Sequence, residues 1–319
     1  MTWEIDEAPP TAPGDVIDAH VHLFTVGLLQ EFLDNNEGFE RFRTAVKERK
    51  FGRRGHELPE MSPEQTACWY AERLGDSGVA KAMVVSVVPD NQWTRDFLVA
   101  AKGHIHALCN LDPRDPGAPD LLEREMAAGF RGVKLLPVNR CYRLSDPECR
   151  PLFEKASELG ANFIVHYGVT VDPMGDLRYA DPIDLSPVAR DFPNVTFVVA
   201  HFGAGWLDSV LRLAYQCKNV CVDTSGTNNW MDYYVPKLTL GDVFERCLTA
   251  LGPERILFGT DSNTTAAYRT WIKYQQVRTL EELGLSDADR DLVLRGNASR
   301  IFRLDEPLLP VHSTDAAGG

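Results

Sequence analysis

Eight short runs of apolar and β-branched residues recur along the chain, and this repetition limits most strongly how it can fold. The runs are DVIDAH, AMVVSVV, IHALCNLD, FRGVKLLP, NFIVHYG, VTFVVAHFG, NVCVDTSG and RILFGTD. Runs that are apolar throughout are typical of parallel strands buried on both faces, and segments such as PLFEKASELGA between them have the pattern of crossover helices. The sequence therefore predicts an α/β fold of eight strand–helix units.

Two architectures fit eight such units: a closed (β/α)8 TIM barrel and an open, doubly wound sheet. Histidine or aspartate ends the first, fifth, sixth and eighth runs. Only a closed barrel brings these four strand ends around one point. An open nucleotide-binding sheet would have a glycine-rich turn after its first strand, where this chain has His20, Val21 and His22. A closed barrel is therefore predicted.

The length of 319 residues and the hydrophobic content of 44% fit one barrel domain over 1–319. The segment between the first two runs is too long for a simple link, which predicts a helical insertion over about 24–62 that caps the site. Ser62 and Gln65 form a capping-box pattern with Pro63 at the first helical position. Gly296 and Asn297 are expected to cap a short final helix, followed by a flexible tail over about 307–319.

The formal net charge of −13 would repel nucleic acid and anionic membranes, so neither is an expected partner. We find no apolar stretch long enough to span a membrane, and the acidic start does not resemble a signal peptide. The seven cysteines are scattered and odd in number, which indicates reduced thiols. A cytoplasmic protein is expected.

Five polar residues at strand ends point to a metal site. His20 and His22 lie two apart on an extended run, so their side chains project to the same side. His166, His201 and Asp261 are each the first strongly polar residue after a buried run. Imidazoles combined with a carboxylate favour zinc over magnesium or calcium.

A second pair, His104 and His106, stands at the beginning of its strand and should therefore face the bottom of the barrel. Residues at that end serve stability rather than catalysis. We expect this pair to be structural.

The motifs DAHVHLF, GVKLLP, FIVHYG, VVAHFG, LFGTDS and GNASRIF resemble those of the amidohydrolase superfamily, specifically its amidohydrolase-related (ACMSD-like) branch of metal-dependent hydrolases and decarboxylases. The resemblance runs from about Asp15 to Leu304. It implies one divalent metal, most often zinc, and a catalytic histidine at the end of the sixth strand. Carried onto this sequence, the implied ligands are His20, His22, His166 and Asp261, and the implied catalytic residue is His201.

Lys134 ends the fourth predicted strand, where two-metal relatives carry a carbamylated lysine that bridges both ions. If Lys134 is carbamylated, two metals are expected, with His166 and His201 on the second. Otherwise Lys134 is an ammonium that binds a substrate carboxylate, or is neutralised by Asp261. Arg140 and Arg143 follow the same strand and are candidates to bind an acidic substrate.

The expected activity is hydrolysis of an amide, lactone or ester of a small, acidic substrate by metal-activated water. Asp261 would take the proton from water, while His201 would stabilise or protonate the developing oxyanion. Non-oxidative decarboxylation of an unsaturated or aromatic acid is the alternative. A metal-free binding protein is a third hypothesis, which the full set of ligand residues disfavours. The expected partner is a small-molecule substrate, and homo-oligomerisation is left open.

Overall fold

Eight parallel strands follow one another around the molecule in chain order. A computed structural model describes residues 16–52, 54–89, 92–170, 172 and 174–306. Each strand pairs with the next in parallel register, for example Val165 of one strand with Val199 of its neighbour. The strands are β1 (Val16–His22), β2 (Val79–Val85), β3 (Ile105–Asn110), β4 (Val133–Leu135), β5 (Phe163–Val165), β6 (Phe197–Val199), β7 (Val220–Asp223) and β8, which begins with Ile256–Leu257.

The last strand closes the sheet against the first. β8 resumes as Ser262–Asn263 after a break, and this second part pairs with β1 through Val21 and His22. Within the break, the Ala19 amide donates to the Phe258 carbonyl at 2.9 Å. The Asp261 amide donates to the His20 carbonyl at 2.8 Å. The predicted closed barrel is therefore confirmed, with one strand for each of the eight apolar runs.

Buried side chains hold this seam between β1 and β8. The carboxylate of Asp18 accepts the Thr260 amide at 3.1 Å and the Thr260 hydroxyl at 2.6 Å. The Tyr268 hydroxyl donates to the same carboxylate at 2.7 Å. Since Asp18 is fully buried, these bonds replace the water that its carboxylate would otherwise require.

The helices surround the barrel and pack their apolar faces on the outer side of the strands. Asp76, at the end of the helix that precedes β2, is followed by a short turn into that strand. The α-helices are α1 (Val26–Asp34), α2 (Glu40–Glu48), α3 (Pro63–Asp76), α4 (Gln92–Ala101), α5 (Ala118–Ala127), α6 (Pro137–Arg140), α7 (Arg150–Leu159), α8 (Ser186–Asp191), α9 (Leu207–Gln216), α10 (Leu240–Leu251), α11 (Thr270–Glu282), α12 (Asp287–Asp291) and α13 (Asn297–Phe302).

The barrel interior is filled by a second apolar cluster to which strand residues such as Met83, Leu108 and Ile164 contribute. Ile301 and Phe302 of α13 belong to the same cluster. The final helix therefore plugs one end of the barrel. The carboxyl ends of the strands remain as the mouth, where active sites of this fold lie.

The segment 24–62 contains α1, α2 and a two-stranded hairpin of Lys50–Phe51 and His56–Glu57. It lies beside the barrel mouth, because the ring of Phe51 packs on that of Phe24 with a centroid distance of 4.3 Å. The ring of Phe24 in turn lies 5.8 Å from that of His22. The insertion thus contributes an aromatic wall that starts at a predicted metal ligand.

The predicted capping box is confirmed, since the Ser62 hydroxyl accepts the Gln65 amide and the Gln65 side chain accepts the Ser62 amide. The predicted cap at Gly296 and Asn297 is wrong. Gly296 has helical torsion angles and continues a π-helical turn, Leu292–Gly296, into α13. The Asn297 side chain instead donates to the carbonyls of Pro253 and Ile256.

The acidic start and the tail over about 307–319, on which predictions were made, lie outside the described residues. Among the helices that the structure describes, none is sufficiently long and apolar to cross a membrane.

Candidate metal centre

His20, His22 and Asp261 converge at the carboxyl end of the barrel, where β1 meets the break in β8. Their potential ligand atoms lie within 4.8 Å of one another. The Asp261 Oδ1 atom is 2.9 Å from the His22 Nε2 atom and 3.9 Å from the His20 Nε2 atom. Both imidazoles thus present Nε2 to the same carboxylate oxygen.

Hydrogen bonds on the far side of each ring fix this orientation. The Nδ1–H of His20 donates to Asp223 Oδ2 at 2.8 Å, and the Nδ1–H of His22 donates to the Val85 carbonyl at 3.0 Å. A neutral imidazole carries one N–H, so donation through Nδ1 leaves the Nε2 lone pair free to bind a metal. His20 Nε2 is buried and has no hydrogen-bond partner among the residues described.

The backbone around Asp261 allows its carboxylate to lie close to His20 and His22. Asp261 has a φ of 58°, in the left-handed region, which is uncommon for a residue other than glycine and marks strained functional sites. Gly259, two residues earlier, passes so close to β1 that a Cβ there would lie 3.0 Å from the Cβ of His20. The second oxygen of Asp261, Oδ2, accepts a hydrogen bond from Arg269 at 3.2 Å.

His166 and His201 extend the cluster on the side of β5 and β6. The His201 ring centroid lies 4.8 Å from that of His20 and 5.1 Å from that of His166. His166 Nε2 is buried without a hydrogen-bond partner within the described part of the chain. The compact group with His22 and Asp261 does not include His166. Its assignment as the fourth ligand therefore stays a prediction.

His201 sits in a turn of unusual backbone geometry immediately after β6. It has a φ of 57°, and Phe202, Gly203 and Ala204 continue with positive φ. A Cβ at Gly168 would lie 2.3 Å from the Gly203 carbonyl oxygen, so only glycine allows the β5 loop to approach this turn. The strained turn directs the His201 imidazole across the mouth instead of along the strand.

Lys134 of β4 is buried, with a relative exposure of 1%, and its Nζ atom has no hydrogen-bond partner among the described residues. The alternative in which Asp261 neutralises Lys134 therefore has no direct hydrogen bond between the two side chains behind it. Nearby, the Asn110 side chain donates to the Lys134 carbonyl at 3.1 Å and accepts a hydrogen bond from Arg140. Asn110 thus bridges the side chain of Arg140 and the backbone carbonyl of Lys134. Arg143, by contrast, donates to the Arg178 carbonyl.

Burial lowers the pKa of the basic groups in the centre and so favours their unprotonated forms. Burial, followed by the charge of Lys134, lowers the pKa of His20 to about 3, and burial holds the pKa of His166 well below its usual value. Burial lowers the pKa of Lys134 to about 8, against the opposing charges of Asp223 and Asp261. Neutral imidazoles are the form that binds a metal.

The two carboxylates of the centre are ionised for the opposite reason. Burial alone would raise the pKa of Asp223, but the electrostatic interaction and the hydrogen bond with the Nδ1–H of His20 hold it below its usual range. The contact with His22, at 2.9 Å, similarly outweighs burial at Asp261 and holds its pKa well below the usual value. Neutral imidazoles and ionised carboxylates together form a donor set that suits a divalent cation.

Asp223 and Ser225 belong to this centre but were not predicted from the sequence. Asp223 is the last residue of β7, and its carboxylate binds His20. The Ser225 hydroxyl lies 2.7 Å from His201 Nδ1. A signal was present, because Asp223 is the first charged residue after an apolar run, which is the criterion that selected His166, His201 and Asp261.

The second histidine pair lies at the opposite end of the barrel. His104 is exposed and precedes β3, while His106 is buried near the start of that strand. This placement at the plugged end agrees with a structural role.

The profile of the amidohydrolase family (Amidohydrolase) matches residues 17–304, which include every candidate ligand. No curated protein matches the sequence.

Solved structures share the fold at low sequence identity. A proposed 2-pyrone-4,6-dicarboxylic acid hydrolase from Pseudomonas putida has a TM-score of 0.61 at 19% identity and covers 92% of this chain and 99% of its own. An amidohydrolase from Burkholderia multivorans with bound zinc has a TM-score of 0.59 at 16% identity, covering 91% and 99%. A 5-carboxyvanillate decarboxylase from Novosphingobium aromaticivorans, complexed with manganese and 4-hydroxy-3-methoxy-5-nitrobenzoic acid, has a TM-score of 0.56 at 14% identity, covering 91% and 96%.

Proposed function

The chain belongs to the amidohydrolase family and is an enzyme of that superfamily, and from this premise we propose that it is a metal-dependent hydrolase of a small, acidic amide, lactone or ester. The observation that carries the proposal is the convergence of His20 Nε2, His22 Nε2 and Asp261 Oδ1. Within the described part of the chain, the buried Nε2 atoms of His20 and His166 have no hydrogen-bond partner. This fits a metal, because such atoms otherwise carry a full desolvation cost.

We propose that His20, His22, His166 and Asp261 hold one divalent ion. When bound, such an ion polarises a substrate carbonyl as a Lewis acid and acidifies water to a pKa of about 7. Zinc is the proposed ion, since a site rich in imidazole favours it over the hard cations magnesium and calcium. Bound zinc in the Burkholderia amidohydrolase supports this choice, and manganese in the Novosphingobium decarboxylase is the competing possibility.

The side chains around the ion have separate tasks in this proposal. Asp261 is ionised, and its left-handed backbone conformation places the carboxylate at the centre. It can therefore accept a proton from water and deliver it to the leaving group. His201 has Nδ1 engaged with Ser225, which leaves Nε2 facing the substrate. Once Nε2 has taken up a proton, the imidazolium can stabilise or protonate the developing oxyanion. Lys134 and Arg140 offer positive charge for a carboxylate of the substrate.

The aromatic wall formed by Phe24 and Phe51 favours a second candidate function, non-oxidative decarboxylation of an unsaturated or aromatic acid. Its rings follow one another outward from His22 in tilted contacts, at centroid distances of 5.8 Å for His22 to Phe24 and 4.3 Å for Phe24 to Phe51. Aromatic side chains beside His22 suit an aromatic or unsaturated acid that loses its carboxylate. The similarity to the Novosphingobium decarboxylase supports the same reaction.

Metal content and product identity test both functions. We expect about one equivalent of zinc per chain after reconstitution and dialysis, measured by elemental analysis. A panel of lactones, amides, esters and unsaturated or aromatic acids should then give turnover, and carbon dioxide release separates decarboxylation from hydrolysis. Less than about a tenth of an equivalent of any transition metal would refute the proposal.

Two histidine variants localise the metal. His22→Ala removes one ligand and should abolish both zinc retention and turnover, because loss of a ligand opens the coordination sphere. The matched control is His104→Ala, which removes an exposed histidine at the other end of the barrel and should leave both unchanged. Equal zinc loss from the two variants would show that the wrong pair has been assigned.

A further inference from the structure

The buried carboxylate of Asp223 contacts two histidines that face each other across the centre. Its Oδ2 atom accepts the Nδ1–H of His20 at 2.8 Å, and its Oδ1 atom accepts the backbone N–H of His201 at 2.9 Å. The residue has no solvent exposure. One carboxylate therefore links β1, which carries predicted metal ligands, to the strained turn after β6.

The Ser225 hydroxyl completes this link. Its Oγ atom lies 2.7 Å from His201 Nδ1 and 3.1 Å from His20 Nδ1, and it donates its proton to Asp223 Oδ1. A carboxylate oxygen only accepts, so the single hydroxyl proton is committed to Asp223. The hydroxyl oxygen can therefore only accept from the two imidazoles. In each contact the Nδ1 atom of the histidine must be protonated and must act as the donor.

Backbone groups reinforce the same arrangement. The Ser225 amide donates to Asp223 Oδ1 at 3.0 Å, and the Ser225 carbonyl lies 3.1 Å from His201 Nδ1. A carbonyl also only accepts, so it independently requires a protonated His201 Nδ1. Three acceptors, the carboxylate, the hydroxyl and the carbonyl, thus select one tautomer for both rings.

We propose that Asp223 and Ser225 are positioning residues that hold His20 and His201 together as Nδ1–H tautomers. The Nε2 lone pair of His20 is then presented to the metal, and that of His201 to the substrate. The inference rests on the proposed metal-dependent function and adds to it a shared orienting carboxylate. In the opposite tautomer a ring would point an N–H at the centre and could not act there as ligand or base.

Zinc affinity tests the role of Asp223 without a substrate. Asp223→Asn keeps the shape of the side chain but weakens the acceptor that holds His20. We expect zinc affinity, measured by competition with a chromophoric chelator, to fall about 10-fold to 100-fold. Glu125→Gln is the matched control, because Glu125 is an equally buried carboxylate that pairs with Arg95 away from the centre. It should retain the zinc affinity of the unmodified protein.

Imidazole nitrogen shifts of the metal-free, ¹⁵N-histidine-labelled protein test the tautomers directly. Both His20 and His201 should show a protonated Nδ1 and an unprotonated Nε2. In Ser225→Ala, His201 Nδ1 loses the hydroxyl at 2.7 Å and keeps only the backbone carbonyl at 3.1 Å. The Nδ1–H share of His201 should therefore fall in part while zinc affinity changes little, a result that a purely structural role would not produce.

An Nε2–H tautomer at either histidine in the unmodified protein would overturn the inference, as would unchanged zinc affinity in Asp223→Asn. Failure of the unmodified protein to bind zinc would instead refute the proposed function, and the tautomer measurement would still decide this inference.

Discussion

Lys134 is the residue that decides how many metal ions the centre holds. Its amine is buried, lacks a hydrogen-bond partner among the described residues, and has a pKa lowered by burial to about 8. A larger neutral fraction favours carbamylation, which would create a bridging ligand and a second metal site. The contact between His201 Nδ1 and Ser225 leaves His201 Nε2 free in either arrangement, so it does not distinguish them. We propose one metal because the resemblance over the whole chain is to the one-metal branch, whereas the two-metal case depends on the match around Lys134 alone.

Replacing His201 tests this choice. In a one-metal enzyme, His201→Ala should keep its zinc while turnover falls about 10²-fold to 10⁴-fold, the usual contribution of a proton-transfer group. Elemental analysis and steady-state rates on the same sample measure both quantities. A decrease from two equivalents to one in the variant, or a carboxylated Lys134 in electron density, would show that His201 is instead a ligand of a second ion.

Single residues also show how far the sequence predicts which side chains meet at the barrel mouth. The strand-end rule selected His20, His22, His201 and Asp261, and the structure brings them together because parallel strands share one edge. The same rule should have selected Asp223. It was missed because aspartate followed by Thr-Ser-Gly also resembles an ordinary turn, and its role depends on a partner that is distant in the sequence.

At the level of secondary-structure elements, local signals were reliable where only local atoms were involved. The capping box at α3 uses residues three apart, and it formed as predicted. The pair Gly296 and Asn297 had an equally good local pattern. There the carbonyls of Pro253 and Ile256 compete for the Asn297 side chain, and only the fold brings them into reach.

The α3 cap provides a stability test. Ser62→Ala removes the acceptor for the Gln65 amide, and we expect the free energy of unfolding to fall by about 1 kcal/mol. Ser77→Ala, at the other end of the same helix, removes a hydroxyl that donates to the Arg73 carbonyl and should cost less than about 0.5 kcal/mol. Denaturant titrations compare the two. Equal losses would mean that the box contributes nothing beyond an ordinary surface hydrogen bond.

His106 in β3 makes the stability of the barrel depend on pH. Burial, together with the charges of Arg131 and Lys81, lowers its pKa from 6.5 to about 4. The unfolded chain therefore takes up a proton first as the pH falls below about 6.5, and stability is lost towards pH 4. This histidine should contribute a loss on the order of 2 kcal/mol between pH 7 and pH 4.5.

The measurement compares denaturant unfolding of the protein and of His106→Gln at both pH values. The variant cannot bind the proton, so its stability should fall less on acidification. Identical pH dependence in the two proteins would show that His106 titrates normally in the folded state.

For the whole molecule, burial predicts which thiols are reactive. Cys68 and Cys141 are exposed, whereas the five others are buried. Burial raises the pKa of Cys149, Cys221 and Cys247 to about 12. Very little of each thiol is therefore ionised to the reactive thiolate at neutral pH. A disulfide reagent should modify two thiols rapidly in the native protein and all seven after denaturation. A third fast thiol would indicate that the outer layer of helices opens readily.

The fold itself followed from the repeated apolar runs, since each of the eight became one strand. The interruption of β8 at Asp261 was not predictable in the same way. It depends on the close passage of Gly259 beside His20, a contact between the two ends of the barrel sequence.

The seam between β1 and β8 also sets the time at which the protein can acquire its metal during synthesis. Asp18 and Thr260, which join the two strands, are 242 residues apart along the chain. A nascent chain carries His20, His22 and His166 before the ribosome has added Asp261, so the proposed ligand set is incomplete until β8 has been made. Because such distant contacts form last, tight metal capture follows completion of the polypeptide. We therefore expect prematurely terminated chains that lack β8 to bind metal more weakly than the finished molecule.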